Sequence, residues 1–440
     1  MDEPHPTPWH PDRRWADPLI ALLILLAALT TFEAIHTLRK PRGEAKHPGL
    51  QTRVLELRAA AQKFTHRPPS LAVPASSEPW DRAVLAVLLA EEGQLAEGRR
   101  LAETTPAPFL ELWKGIYAEG ELPTAPQVEA LRQPFGSSYA YWQFRGRLAE
   151  RQLQDPEPWR AKARAWAWPR MVALGLGGLM LVALGLGGII SAGVMALSPK
   201  QHLTATLKPC PMSGRAVALT LLGWFVALRF SGTVAALLFA FIPLPKALAL
   251  PVAYSFHVWV GARLLLRAEG VSFRQAWRRM TPGPLPRALG WALAFLGIAL
   301  VAVLLAGLLT QPFLRNTQPP QRELLELVSS QRHWLATLLL FATMAGLAPL
   351  FEEWLFRGTL LPWMGHRFSL RWKQGGWLLA VVITGVTFGA MHLQPAALPG
   401  LCTLGMVLGW AFLRTGNLWT TVAMHACWNG GVFVMIQLLA

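Results

Sequence analysis

Apolar residues run almost unbroken from Leu19 to Ile35 and then, after a mixed and charged stretch, return in eight long blocks. The blocks are Met171 to Leu197, Ala216 to Ile242, Ala247 to Leu266, Ala288 to Leu309, Leu335 to about Leu361, Gly376 to Leu393, Ala397 to Phe412 and Leu418 to Leu439. A helix of about 20 apolar residues crosses the hydrocarbon core of a bilayer. The pattern therefore predicts an N-terminal tail and membrane anchor over residues 1–37 and a bundle of about eight spans over residues 170–440. The first run is long for a secretory signal and no A-x-A-like cleavage pattern follows it, so it reads as an anchor. Residues 38–169 place Glu, Arg, Ala and Leu at helical spacing with prolines between segments, which predicts a soluble helical domain. Within it Ala90-Glu91, Ala118-Glu119 and Ala149-Glu150 end helical stretches, each followed by a leucine, Leu95, Leu122 and Leu153. That recurrence hints at stacked helical hairpins of the tetratricopeptide kind, beside an irregular helical domain as an equal reading. The expected fold class is all-α, a polytopic membrane bundle with a soluble helical domain inserted after the first span.

Composition sharpens the division. The 440 residues are 53% apolar and 15% charged, and 41 Lys/Arg against 25 Asp/Glu give a net charge of +16. Residues 1–170 hold 22 basic and 20 acidic side chains, which leaves 19 basic and five acidic for the rest of the chain. Those five are Glu269, Glu323, Glu326, Glu352 and Glu353. The excess of positive charge thus belongs to loops between lipid-facing helices, and no basic, aromatic-rich face suggests nucleic acid. Membrane lipids are the expected surroundings, and residues 38–169 are free to engage a protein partner. Arg263, Arg267, Arg274, Arg278, Arg279 and Arg287 cluster between two spans and mark a cytoplasmic loop. Simple alternation then puts the amino terminus inside and the soluble domain and carboxyl terminus outside. Arg39, Lys40, Arg42 and Lys46, with Arg160, Lys162, Arg164 and Arg170, point the other way. A polar amphipathic piece runs from Arg315 to Arg332. Cys210, Cys402 and Cys427 are too scattered for a disulfide framework.

Glu352 and Glu353 are adjacent in the apolar stretch LAPLFEEWLFRGTLLP. Each charge at that depth costs at least ~2.5 to 3.5 kcal/mol on insertion scales unless it is paired, so the two together signal chemistry. On a helix Glu353 and Arg357 share a face at four-residue spacing, whereas Glu352 is turned about 100° away, without a local partner. His392 follows Phe388 by four residues, and His425 precedes Asn429 by four on the last helix. His202, His257, His333 and His366 read as loop or interface residues. Two chemistries fit the set. A zinc hydrolase would use both histidines and a glutamate as ligands, but no H-E-x-x-H is present. A metal-free hydrolase would set Glu352 and His392 on a water and His425 with Asn429 on the oxyanion, which suits an asparagine better. A proton-coupled transporter and a non-catalytic membrane scaffold presenting the soluble domain are the competing classes.

The order and spacing of Glu352-Glu353 with Arg357, Phe388 with His392, and His425 with Asn429 resemble the EExxxR, FxxxH and HxxxN/D motifs of the CPBP intramembrane proteases, which include the type II CAAX prenyl endopeptidases and the abortive-infection-like membrane proteins. FRG after the glutamates and RTGNLW before the last helix agree as well. The resemblance implies a multi-pass protein of a bacterial inner membrane that hydrolyses a peptide bond of a membrane-associated protein or lipidated peptide, with no cofactor and no metal. It implies Glu352 and His392 on the water, Glu353 and Arg357 positioning the site, and His425 and Asn429 at the oxyanion. One geometric tension stands. Simple alternation runs Glu352 and His392 toward opposite faces, and they meet only if the Glu352 helix continues to about Pro362, placing the acids near mid-membrane, and if the His392 helix is short or tilted.

Overall fold

The computed structural model describes residues 9–39, 50–65, 78–197, 207, 210, 212–241, 248–314 and 334–439. The Arg315 to Arg332 piece, His202, His333 and Lys40, Arg42 and Lys46 lie outside the described residues. Among those described there is no strand. Helices α1 (Arg13–Arg39), α2 (Leu50–Thr65), α3 (Pro79–Glu91), α4 (Leu95–Ala102), α5 (Ala107–Tyr117), α6 (Ala125–Glu129), α7 (Arg132–Phe135) and α8 (Tyr139–Arg151) are followed by α9 (Glu157–Leu197). Then come α10 (Gly214–Phe241), α11 (Ala249–Glu269), α12 (Phe273–Met280), α13 (Leu285–Leu314), α14 (Trp334–Trp372), α15 (Gln374–Met391), α16 (Leu398–Thr415) and α17 (Leu418–Leu439). Nine of the described helices are long and apolar enough to cross a membrane, matching the eight blocks plus the anchor. The protein is an all-α polytopic membrane bundle.

The chain divides into two compact units, one formed chiefly by residues 41–179 and the other by the remaining spans. In the first, α3 is buried nearly along its whole length and packs against α4 and α8, with Phe109, Trp113, Phe135, Tyr141 and Phe144 around it. Two polar bridges pin the helices, the first buried and the second partly so. Glu56 accepts from Arg53 at 2.7 Å and from the Ala140 amide at 2.8 Å, while Tyr117 donates to Glu91 at 2.8 Å. Burial and then the Glu91 charge push the Tyr117 phenol well above its ordinary value, so it remains a donor at physiological pH. The recurrent leucines are exposed, Leu153 by 97%, and α5 is followed by the very short α6 and α7. Leu95 opens α4, whereas Leu122 and Leu153 follow the ends of α5 and α8.

In the membrane unit the anchor helix joins the bundle, because Asp17 of α1 accepts from Arg215 of α10 at 2.6 Å. The six clustered arginines are largely helical: two lie on α11, three on α12, which Ser272 and Gln275 cap reciprocally, and one on α13. Close helix crossings use glycine, as expected where lipid supplies no hydrophobic drive for association. A Cβ on Gly297 of α13 would lie 2.0 Å from the Leu184 carbonyl oxygen, and one on Gly261 of α11 would lie 2.3 Å from the Phe351 ring. The obstacle at Gly297 is backbone and cannot rotate aside. Gly297→Ala is expected to destabilise the protein by about 1–3 kcal/mol, as overpacking does, read as a lower melting temperature in detergent.

Candidate active site

The helix that carries the two glutamates is longer than its apolar pattern suggests. It runs from Trp334 to Trp372 and passes through both Pro349 and Pro362, with Glu352 and Glu353 at its midpoint. Proline lacks the N–H and clashes with the carbonyl four residues back. Here each proline is preceded by a π-helical segment, Thr343–Leu347 before Pro349 and Trp354–Leu360 before Pro362, where the wider turn relieves the clash. The Ala348 amide bonds the Thr343 carbonyl in the π register. In that register the next amide would answer the Met344 carbonyl, and the next residue is Pro349. The carbonyl so released is taken by Asn429, whose Nδ2 donates to it at 2.9 Å. Asn429 thus commits one of its two N–H donors to the backbone of α14.

Glu353 is fully buried, and its Oε1 accepts from Arg357 Nη1 at 2.8 Å and from His425 Nδ1 at 2.9 Å. Arg357, also fully buried, donates through Nη2 to the Gly405 carbonyl at 2.9 Å and lies 4.7 Å over the Phe388 ring. That carbonyl is within reach because Gly385 of α15 and Gly405 of α16 meet backbone to backbone; a Cβ on Gly405 would fall 2.9 Å from the Gly385 Cα. With a carboxylate on its Nδ1 side, His425 donates there and presents Nε2 as its other ring nitrogen.

Glu352 faces elsewhere. Its Oε1 accepts from the Tyr254 hydroxyl of α11 at 2.5 Å, and its Oε2 lies 3.9 Å from His425 Nε2, a gap wider than a direct hydrogen bond. The side chain retains 14% exposure where Glu353 has none. His392 caps the end of α15, exposed, and its Nδ1 donates to the Phe388 carbonyl at 2.8 Å, which leaves Nε2 as the free ring atom. Among the described residues no hydrogen bond or ion pair joins His392 to Glu352. Phe388 stands between the two histidines, its ring centroid 4.9 Å from that of His392 and 5.5 Å from that of His425.

Glu353, Arg357 and His425 therefore meet directly, Glu352 stands 3.9 Å from His425, Asn429 lies one turn along α17, and His392 is one ring removed. Two neighbours were not foreseen. Tyr254 binds Glu352, and His257, read from sequence as a loop or interface residue, is only 1% exposed inside α11 with its ring centroid 4.3 Å from that of Tyr254. That reading is corrected here; its basis was the lack of a partner at helical spacing, whereas the partner is Tyr254 three residues earlier. The available signal was compositional. Of the four tyrosines, Tyr254 alone lies after residue 141. Among the described residues no three His, Cys, Asp or Glu side chains converge as metal ligands would.

A polytopic membrane protein with a buried acid–base cluster at the middle of a span is the class that fold and site define. Residues 334–431, from the start of α14 to two residues past Asn429, match the family described as type II CAAX prenyl endopeptidase Rce1-like. The match is confined to this segment, and at family level it supports an intramembrane protease. No curated protein and no solved structure matches the chain.

Two stability measurements check the cluster. Arg357→Ala leaves Glu353 as a buried charge without its cation and is expected to cost ~3 to 5 kcal/mol, seen as a marked drop in melting temperature. Asn429→Ala strands the Met344 carbonyl and is expected to cost about 1–3 kcal/mol. An unchanged melting temperature in the second variant would show that the freed carbonyl finds another donor.

Proposed function

We propose that the protein is an intramembrane endopeptidase of a bacterial inner membrane that cleaves a membrane-associated protein or lipidated peptide by glutamate-activated water. The observation that carries this reading is the unequal treatment of two adjacent acids. Glu353 spends its charge on Arg357 and His425, while Glu352 keeps partial exposure and one oxygen, Oε2, turned toward His425 Nε2. A structural anchor needs one such acid.

In the reaction the water oxygen attacks the scissile carbonyl carbon, Glu352 takes the water's proton, and the same carboxyl delivers it to the leaving amine nitrogen as the C–N bond breaks. His425 meets the reacting group through Nε2, because Glu353 occupies its other nitrogen. The second N–H of Asn429 is available to the oxyanion, the first being held by Met344. His392, by the family resemblance, joins from the far side of Phe388 through its free Nε2. Residues 38–169 would then supply a docking surface for substrate or partner.

The test is cleavage of a juxtamembrane or membrane-embedded peptide by purified protein in liposomes, with membrane proteomes of wild type and Glu352→Ala compared to find the substrate. Glu352→Gln is expected to lower turnover by about 10²- to 10⁴-fold with the melting temperature retained. Activity is expected to survive a strong chelator. One tightly bound zinc per chain, with zinc-rescued cleavage, would overturn the metal-free scheme.

A further inference from the structure

We propose that Tyr254 is a positioning residue that fixes the carboxylate of Glu352 for catalysis, an inference that rests on the protease reading above. Tyr254 lies on α11, 80 residues before the Rce1-like segment begins at residue 334. A phenylalanine would fill the same volume in an apolar bundle without bringing a hydroxyl that must find a partner. Tyr254 finds that partner in Glu352 Oε1 at 2.5 Å.

The bond removes a freedom that matters. The last torsion of a glutamate is broad and roughly two-fold, so an untethered carboxylate turns its plane and exchanges its oxygens. With Oε1 held, Oε2 is the oxygen left toward His425 Nε2, 3.9 Å away. The tether is itself held in place. Tyr254, His257 and Gly261 follow one another at three and four residues and so share a face of α11. On that face Gly261 fits against the ring of Phe351, the residue before Glu352, with no room for a Cβ. Farther along, Glu269 is bound by Arg279 and accepts from Thr359 of α14 at 3.1 Å. These contacts set the depth and rotation of α11 on either side of the glutamate. His257 backs the Tyr254 ring edge to face, its Nδ1 donating to the Ala253 carbonyl at 3.2 Å while Nε2 is buried without a partner. Trp224 closes the other side of His257, with ring centroids 6.4 Å apart.

A purely architectural bond between α11 and α14 would show itself in stability and substrate affinity. A positioning bond shows itself in turnover. Tyr254→Phe is therefore expected to reduce kcat by about 10- to 100-fold, on the scale reported for small misplacements of reacting groups, with KM and melting temperature close to wild type. Unchanged kcat, or a loss that follows the melting temperature alone, would overturn the proposal. A second measurement does not depend on cleavage. Labelling with 3-fluorotyrosine places fluorine at only four sites, and Tyr254→Phe identifies the resonance of Tyr254. Glu352→Gln is expected to shift that resonance and leave those of Tyr117, Tyr139 and Tyr141 in place. No shift would overturn the tether. If wild type cleaves no peptide, the protease reading fails while the fluorine spectrum still decides whether Tyr254 holds Glu352.

Discussion

A carboxylate with no solvent contact, Glu353, is the constraint around which the membrane unit is arranged. Such a charge is tolerable only where its hydrogen-bonding capacity is met by cations or strong donors, and removing one of them is far more costly than never having had the charge. Arg357 supplies the charge at four-residue spacing on the same helix, but a buried guanidinium has further donors to satisfy and an apolar stem to pack. The Gly405 carbonyl takes one of those donors and the Phe388 ring packs against the guanidinium, while Nε is left without a hydrogen bond; the arrangement requires α15 and α16 to approach at glycines. His425 adds a second donor to Oε1 of the acid from α17, and in doing so its other ring nitrogen is fixed in orientation. One buried charge thus specifies how four helices meet, and Glu352 inherits a finished environment.

The second acid is reached only because α14 does not stop at its prolines. Two π-helical segments let the helix pass Pro349 and Pro362, so both acids sit at the middle of a continuous element rather than at its end. The span does continue past Pro362, as a meeting of Glu352 with His392 would require, yet His392 stays behind the Phe388 ring. The same detour frees the Met344 carbonyl and gives Asn429 a structural duty beside any part in the reaction. Local irregularity at this helix is therefore tied to the side chain on α17 that an oxyanion would also use.

Spans and paired motifs were legible in the sequence for one reason: both depend on short-range periodicity. The apolar blocks give nine crossings, and Glu353 with Arg357 meets at helical spacing as expected. What was hidden depends on packing between distant segments. Tyr254 and Glu352 are 98 residues apart, and nothing in the spacing of either announces the other. Pro362 reads as a helix end unless the widened turn before it is known, which is why the fifth block seemed to close near Leu361. His392 was paired with Glu352 by reaction logic, whereas folding places Phe388 between His392 and His425, the histidine that faces Glu352. His257 was set aside as an isolated histidine; only the approach of α11 to α14 gives it a role.

The hydrogen bond between Tyr254 and Glu352 crosses the boundary of the recognisable domain, and modularity suffers for it. Residues 334–431 contain both glutamates, Arg357, both histidines and Asn429, yet one oxygen of Glu352 is held from outside that stretch. A chimaera that grafts this segment onto the amino-terminal helices of another bundle would transfer every motif residue and still lack the phenol. The smallest transplantable unit begins at α11, with the glycine that seats Phe351 and the tyrosine that meets its neighbour.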